Sequence, residues 1–413
     1  MSIYYVSNNG RDTNSGLSPE SAFATIKKAR ETITGGDTVL LRRGDTFYGH
    51  LQIPEGTGLE TPTAVGTYGE GKKPVLSLYK IAKPDAWEKV SGNVYKIDLL
   101  NPDKITGNIF DQNANVGFLK VSGKVFPHKI FDLEGLSAQW DFYSDEKAVY
   151  VYSEKDPAEL SEDIRFACQI NGINFTQYMK VENIVVTGTG AHGICGTGTH
   201  ALISHCEFHE IGGSHLQAFP TPNTRYGNGV ECGSHSRFVT VEHCKFSGIY
   251  DVAVTMQGYP GDISWENVVF TDNIMWNNQH SFEIWSSGKT PGSGFINCRF
   301  ENNLCIESGY GWSYAVRPDK TASTHLLMYG IETPVCDITI TGNTFVNARN
   351  MSIFKSGGAC DIPKDYKIFG NTFICPEGQP LVWKDKTSDE EYDAYIKKLE
   401  EENTVYRHTV FTL

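Results

Sequence analysis

Three acidic residues, Glu231, Asp251 and Glu283, lie in or next to short apolar segments of the sequence. Side chains alternate between the two faces of a β-strand, so these carboxyl groups point outward if the apolar residues point inward. Strands stacked in register would put Asp251 roughly 8 Å from each glutamate and the two glutamates about 10 Å apart. Two carboxyl groups about 5 Å or about 6.5–9.5 Å apart can hydrolyse a glycosidic bond. The sequence therefore predicts Asp251 and Glu283 as a central catalytic pair, with Glu231 as a third carboxylate or alternate acid.

Two longer segments, 213–228 and roughly 307–329, interrupt the strand pattern on either side of this acidic set. Binding sites concentrate on loops that a rigid scaffold positions, so we expect the two segments to wall a groove with an acidic floor. Aromatic rings there can stack on sugar rings, and basic side chains can donate to hydroxyl or carboxylate oxygens. The candidate substrate-binding residues are Trp285 and His280 near Glu283, and His215, Arg225, Tyr226, Trp312, Tyr314 and Arg317 in the walls.

The elements that must position these residues repeat along the chain. Six segments with alternating apolar residues end in Cys or Asn, and they recur at intervals of roughly 30 to 40 residues, which indicates a solenoid. The alternation within each unit has period two, so the repeated element is a strand rather than a helix. The sequence therefore predicts an all-β protein in which strands stack in a coil. The closing residues are Cys206, Cys244, Asn273, Asn303, Asn343 and Asn371.

The remaining segments predict additions to this coil. Residues 1–81 are expected to form an N-terminal cap, with a helix that Ser18 begins, followed by the first rungs. Residues 82–165 are expected to form a small antiparallel β insertion. The coil with the groove is assigned to 166–384, and a C-terminal helical cap to 385–413, where Ser388 starts a capping box.

The opening strands, followed by the run Gly44-Asp45-Thr46 and the segment 63–68, resemble the N-terminal part of right-handed parallel β-helix proteins of the pectin-lyase-like superfamily. The resemblance in rung pattern covers most of the chain. It implies a right-handed parallel β-helix and a carbohydrate substrate, because this superfamily contains many glycoside hydrolases and polysaccharide lyases. It matches the signature of no single activity.

Composition limits the partners. The chain has 36 Lys and Arg against 49 Asp and Glu, a formal net charge of −13, so a nucleic-acid partner is not expected. No apolar run is long enough to span a membrane. The ten cysteines include no CxxC pair, so we expect buried free thiols and no metal site. The first residues enter a strand without a signal-peptide pattern, which fits a cytoplasmic protein or an exported one whose leader was removed.

Three functions remain open from the sequence. The leading interpretation is a hydrolase that cleaves a polysaccharide or oligosaccharide with paired carboxylates and needs no cofactor. A polysaccharide lyase or uronate epimerase is the alternative, with Arg225, Arg317, His215 or His280 as base or electrophile and Ca²⁺ on the acidic floor. A noncatalytic glycan-binding or tail-fibre-like module is the third. The oligomeric state is not indicated.

Overall fold

The computed structural model describes residues 1–258, 261–318, 320–329, 333–356, 367–383 and 388–409. Three long sheets, all with parallel pairing, run along the molecule, and the chain passes through them in turn to form a parallel β-helix. Sheet 1 comprises Ile3–Val6, Thr38–Arg42, Thr63–Tyr68, Gln177–Glu182, Thr199–Ser204, Arg237–Glu242, Ser264–Thr271, Gly294–Glu301, Val335–Thr341 and Lys367–Phe369.

Sheets 2 and 3 complete each rung of the coil. Sheet 2 comprises Thr46–Tyr48, Val75–Ser77, Val185–Thr189, Glu207–Ile211, Lys245–Ile249, Ile274–Trp276, Leu304–Ile306, Thr344–Val346, Thr372–Pro376 and Thr404–His408. Sheet 3 comprises Ile173–Asn174, Ile194–Gly196, Val230–Cys232, Val252–Gly258, His280–Ser286, Thr324–Tyr329 and Met351–Ser356.

Other strands pair in antiparallel sheets beside the coil. A five-stranded sheet comprises Lys80–Ala82, Ile105–Gly107, Val116–Val121, Lys124–Phe126 and Ile164–Cys168. A four-stranded sheet comprises Glu88–Ser91, Val94–Asp98, Phe142–Ser144 and Ala148–Tyr152, and a small ribbon pairs Ser214–His215 with Arg225–Tyr226. The domain boundaries given above stay predictions.

The helices are short except for one near the C-terminus. The α-helices are Ile26–Thr32, Pro157–Leu160 and Asp389–Glu402, and the 3₁₀ turns are Pro19–Ser21, Leu133–Gly135, Trp312–Ala315 and Lys320–Ala322. Ser18 caps the first 3₁₀ turn, whereas Thr25 caps the α-helix that follows, so the first helix starts later than predicted. Ser388 caps the long helix as predicted. That the terminal helices cap the coil stays a prediction. In the described residues no helix has the length and apolar character needed to cross a bilayer.

The closing residues of the predicted repeats form a buried hydrogen-bonded ladder. The side-chain oxygen of Asn303 accepts from the backbone N–H of Asn273 at 3.0 Å. The side-chain oxygen of Asn343 accepts from the backbone N–H of Asn303 at 2.8 Å. The ladder extends to Asn371 and then to Asn403, which follows the C-terminal helix. These bonds join successive rungs, so they show that the repeats stack in register.

Apolar residues fill the interior of the coil. Phenylalanine rings stack from rung to rung, as in the pairs Phe208 with Phe246 at 4.9 Å and Phe282 with Phe300 at 4.5 Å between ring centroids. Nine cysteines lie in the described part of the chain, and all but Cys195 are buried. The expectation that the cysteines are buried therefore holds for those eight.

Two predicted elements differ from the structure. The strand Thr324–Tyr329 of sheet 3 lies inside the segment 307–329 that was expected to form a wall, and residues 330–332 lie outside the described residues. The C-terminal helix is followed by Thr404–His408, which pairs with Thr372–Pro376 and adds a last strand to sheet 2. The chain thus returns to the coil after a segment that was expected to be only a helical cap.

Candidate active site

Glu231 and Glu283 lie on one ladder of sheet 3. Glu231 is paired in register with Thr255, and Thr255 with Glu283, so the two glutamates are two rungs and about 10 Å apart at their backbones. The spacing expected from the sequence, with Asp251 roughly 8 Å from each glutamate, implied Ala253 at this position. The observed pairing is shifted by two residues, so Asp251 is four residues, or about 13 Å of extended chain, from Thr255 and lies farther from both glutamates than expected. The shift leaves the inward and outward faces unchanged and therefore escapes the alternation pattern.

Glu283 is a buried carboxyl group with little solvent contact. Its side chain is 9% exposed, and Thr255 Oγ1 donates a hydrogen bond to its Oε2 at 3.3 Å. Burial, together with the negative charges of Asp251 and then Glu231, raises the pKa of Glu283 to about 8, and Arg317 opposes this shift. A carboxyl group in this state holds its proton at neutral pH, as a general acid must.

Asp251 and Arg317 form an ion pair between the floor and one wall. Asp251 lies at the bend before the strand Val252–Gly258, and Arg317 follows the 3₁₀ turn Trp312–Ala315. Arg317 Nη1 lies 2.8 Å from Asp251 Oδ1, and its guanidinium lies 5.3 Å from the ring centroid of Tyr250. The structure therefore brings together a predicted floor residue and a predicted wall residue.

Glu231 is surrounded by polar groups that were not predicted from the sequence. Its Oε2 accepts from Asn228 Nδ2 at 2.8 Å and from Gln257 Nε2 at 2.5 Å. Cys195 Sγ lies 3.6 Å from its Oε1, and His192 Nδ1 lies 3.3 Å from its Oε2. Gln257 could have been found, because it is two residues after Thr255 and shares its face.

The predicted aromatic residues have different environments. Trp285 is half-buried and pairs in register with Gln257, so it lies next to the polar floor. Trp312 packs against neighbouring rings, and its Nε1 donates to the carbonyl of Gly248 at 2.9 Å, so it anchors the second wall to the coil. The ring of Tyr314 lies 3.7 Å from the guanidinium of Arg349.

Arg225 and His280 are buried side chains. Arg225 is 8% exposed, and its guanidinium donates to the carbonyls of Gly213, Pro127 and Gly117 at 2.6, 3.0 and 2.6 Å. It therefore joins the first wall to the antiparallel sheet. His280 is fully buried in its strand. That these two residues contact substrate stays a prediction.

His215 and Tyr226 lie in the antiparallel ribbon of the first wall. The ring of His215 is half-buried at 5.2 Å from that of Phe131, and burial lowers the pKa of this imidazole. Tyr226 Oη accepts from Gln169 at 2.9 Å, its ring lies 5.0 Å from His192, and burial raises its pKa to about 12. Tyr226 thus packs against His192, which is itself a neighbour of Glu231.

His192, Cys195 and Glu231 are also the one group of residues in the described ranges whose ligand atoms could converge on a metal ion. One atom from each residue lies within 4.8 Å of the other two. His192 is buried, whereas Cys195 and Glu231 are half-buried.

Comparison with known proteins gives similarity in structure only. No protein-family model and no curated protein matches the chain. XylC in complex with xylose is similar with a TM-score of 0.58 at 13% identity, over 98% of this chain and 82% of that one. A GH136 lacto-N-biosidase from Eubacterium ramulus has a TM-score of 0.48 at 13% identity, over 99% and 67% of the two chains. A rhamnogalacturonan lyase has a TM-score of 0.47 at 12% identity, over 92% and 75%.

At such identities the similarity concerns the fold, which is compatible with many functions. The parallel β-helix that the sequence resemblance implied is confirmed.

Proposed function

We propose that this protein is a carbohydrate-active enzyme, and specifically a glycoside hydrolase whose general acid is Glu283. The observation that carries the proposal is the burial of the Glu283 carboxyl group on the side of the coil that also bears Glu231, within reach of the charge of Asp251, which together raise its pKa to about 8. Glycoside hydrolysis needs one carboxyl group that is protonated and another that is ionised at the same pH.

Asp251 is the second carboxylate in this proposal. Its ion pair with Arg317 at 2.8 Å favours the charged form. Glu283 donates its proton to the glycosidic oxygen as the bond to the sugar breaks. As this bond breaks, Asp251 either removes a proton from the water molecule that attacks the sugar carbon, if the two carboxyl groups are about 6.5–9.5 Å apart, or attacks that carbon itself, if they are about 5 Å apart. Glu231 is the third carboxylate, and its charge helps Glu283 to keep the proton.

The charges of the site argue for a neutral sugar. A lyase or epimerase must abstract a proton next to a uronate carboxylate and neutralise that carboxylate with a cation. Here the floor is acidic, Arg317 pairs with Asp251, and the guanidinium of Arg225 donates to three backbone carbonyls. The hydrolase therefore accounts for the arrangement better than the lyase does.

The test is product analysis with the full chain on a panel of neutral and acidic polysaccharides and oligosaccharides. Xylose-containing substrates belong in the panel because of the similarity to XylC. We expect new reducing ends from at least one neutral substrate, and a loss of roughly 10²–10⁴-fold in turnover in Glu283→Gln. The matched control is Glu154→Gln, an exposed glutamate of the antiparallel insertion.

Three outcomes would contradict the proposal. Unchanged turnover in both Glu283→Gln and Asp251→Asn would remove the assigned residues. An ultraviolet-absorbing unsaturated uronate product would identify a lyase. Binding of a glycan with no product, retained when all three carboxylates are replaced, would identify a noncatalytic module.

A further inference from the structure

We propose that His192, Cys195 and Glu231 bind a divalent transition-metal ion of the zinc type. His192 and Cys195 come from one rung, and Glu231 lies directly opposite Cys195 on the next rung of sheet 3. Imidazole nitrogen, thiolate sulfur and carboxylate oxygen are the donor atoms that zinc takes in proteins. The set is held by paired strands, so its members need little rearrangement to bind.

The donor atoms lie close enough together to share one ion. Cys195 Sγ lies 3.6 Å from Glu231 Oε1, His192 Nδ1 lies 3.3 Å from Glu231 Oε2, and one donor atom of each residue lies within 4.8 Å of the other two. Donor atoms of a tetrahedral zinc site with bonds of about 2.0–2.3 Å are about 3.3–3.5 Å apart. Because the two contacts involve different oxygens of Glu231, its carboxylate would have to turn so that one oxygen binds the ion.

The contact between His192 and Glu231 is unfavourable without a cation. The backbone N–H of Asn228 points at His192 Nδ1 at 3.1 Å, so this nitrogen presents its lone pair. The same nitrogen lies 3.3 Å from Glu231 Oε2, so two acceptor atoms are in contact. If Nδ1 instead carried a proton, that proton would face the N–H of Asn228. An imidazole nitrogen has one lone pair, so a metal ion bound to Nδ1 would displace the N–H of Asn228 and take the place of the contact between the two acceptors.

Neighbouring side chains hold Glu231 and His192 in position. Asn228 and Gln257 both donate to Oε2 of Glu231, and the ring of Tyr226 packs against His192. Such outer contacts orient metal ligands and tune affinity. Glu231 is 15% exposed at its side chain, so one side of the cluster is open. Three protein ligands with an open fourth position are typical of zinc sites that bind water or a substrate oxygen.

The inference goes beyond the proposed hydrolysis and keeps Asp251 and Glu283 as its catalytic pair: an ion on Glu231 would cancel the contribution of that charge to the raised pKa of Glu283, whereas the larger contributions of burial and Asp251 remain. On binding, a bond forms between the metal and the Cys195 sulfur while the thiol proton leaves to solvent, so no oxidant or reductant takes part. The sulfur and nitrogen donors favour zinc over Ca²⁺. This site could not be predicted from the sequence, because its residues are not arranged as a CxxC pair.

The test uses Co²⁺ as a spectroscopic probe in the full chain after treatment with EDTA and dialysis. We expect one Co²⁺ per chain, a thiolate-to-cobalt charge-transfer band in the near ultraviolet, and displacement of the ion by Zn²⁺. The band should vanish in Cys195→Ser and persist in Cys375→Ser, which alters a buried thiol elsewhere. Gln257→Ala should weaken Co²⁺ binding by roughly 10–100-fold.

Absence of the band in the wild-type chain, or a band that persists in Cys195→Ser, would overturn the proposal. Circular dichroism establishes that each variant is folded. Should Cys195→Ser fail to fold, His192→Gln decides by the same titration, because it keeps the thiol and removes the nitrogen ligand. The readout is metal binding, so its failure is distinguishable from a failure of the hydrolase assay with Glu283→Gln.

Discussion

Glu231 and Glu283 lie on one ladder of sheet 3 with a single residue, Thr255, between them. Both carboxyl groups therefore face the same side of the coil, and the charge of Glu231 adds to that of Asp251 in raising the pKa of Glu283. Residues far apart in the sequence act on one proton because three consecutive rungs stack in register.

The first prediction concerns the stability of Glu283→Gln as a function of pH. The folded-state pKa of Glu283 is about 8 against an ordinary value of 4.5, so the folded protein keeps a proton that the unfolded chain releases. Wild-type stability should fall as pH rises from about 4.5 to about 8 by up to a few kcal/mol, a loss that Gln avoids. Thermal unfolding should show Glu283→Gln to be the more stable protein at pH 9 and similar at pH 4. An equal difference at both pH values would contradict this, and Glu154→Gln is the control.

The second prediction concerns Arg317→Met. The positive charge of Arg317 lowers the pKa of Glu283, so its removal should move the alkaline limb of the pH–rate profile to higher pH. Loss of the bond to Asp251, about 1.5–3 kcal/mol for a charged group, should also lower kcat/KM by roughly 10–100-fold. Arg299→Met removes an exposed arginine that pairs with Glu301 and should leave the profile unchanged. A limb that stays in place would mean that Arg317 does not act on Glu283.

The third prediction concerns Arg225→Met. The guanidinium of Arg225 donates to three carbonyls, which lie on the first wall and on the antiparallel sheet. Because the variant loses these hydrogen bonds, its unfolding free energy should fall by about 2–4 kcal/mol. Denaturant unfolding measures this loss, and the KM of the remaining folded enzyme should change little. A large increase in KM with unchanged stability would identify Arg225 as a substrate-binding residue.

The fourth prediction concerns the asparagine ladder. Asn303→Ala removes the acceptor for the N–H of Asn273 and the donor to the carbonyl of Phe270. Because all these groups are buried, we expect a loss of about 2–4 kcal/mol in unfolding free energy. Asn93→Ala, at an exposed asparagine, should stay within about 0.5 kcal/mol of the wild type. Equal stabilities of the two variants would show that the ladder contributes little.

The strand pattern was sufficient to predict the coil, because the alternation and the closing residues repeat at each rung. The ladder from Asn273 to Asn371 confirms that stacking. The same pattern could not fix the register on sheet 3, since a shift of two residues exchanges Ala253 for Thr255 without turning any side chain inward.

The site was harder to predict where it depends on contacts between distant segments. Arg225 looked like a sugar-binding arginine, but two of its partners, Gly117 and Pro127, belong to a separate antiparallel part of the chain. His192 and Cys195 were missed because only the pairing of two strands places them beside Glu231. Neither the bonds of Arg225 nor the position of His192 and Cys195 beside Glu231 can be deduced from the composition or from the spacing of residues along the chain.

The central claim, that Glu283 donates the proton, is tested most directly by varying the leaving group. An aryl glycoside whose phenol leaves without protonation needs no general acid, whereas an alkyl glycoside or a natural linkage does. Once the panel has identified the sugar, the account predicts that Glu283→Gln loses roughly 10²–10⁴-fold in kcat/KM on the natural linkage and keeps near wild-type activity on the activated aryl glycoside. Equal losses on both substrates would show that Glu283 is not the acid.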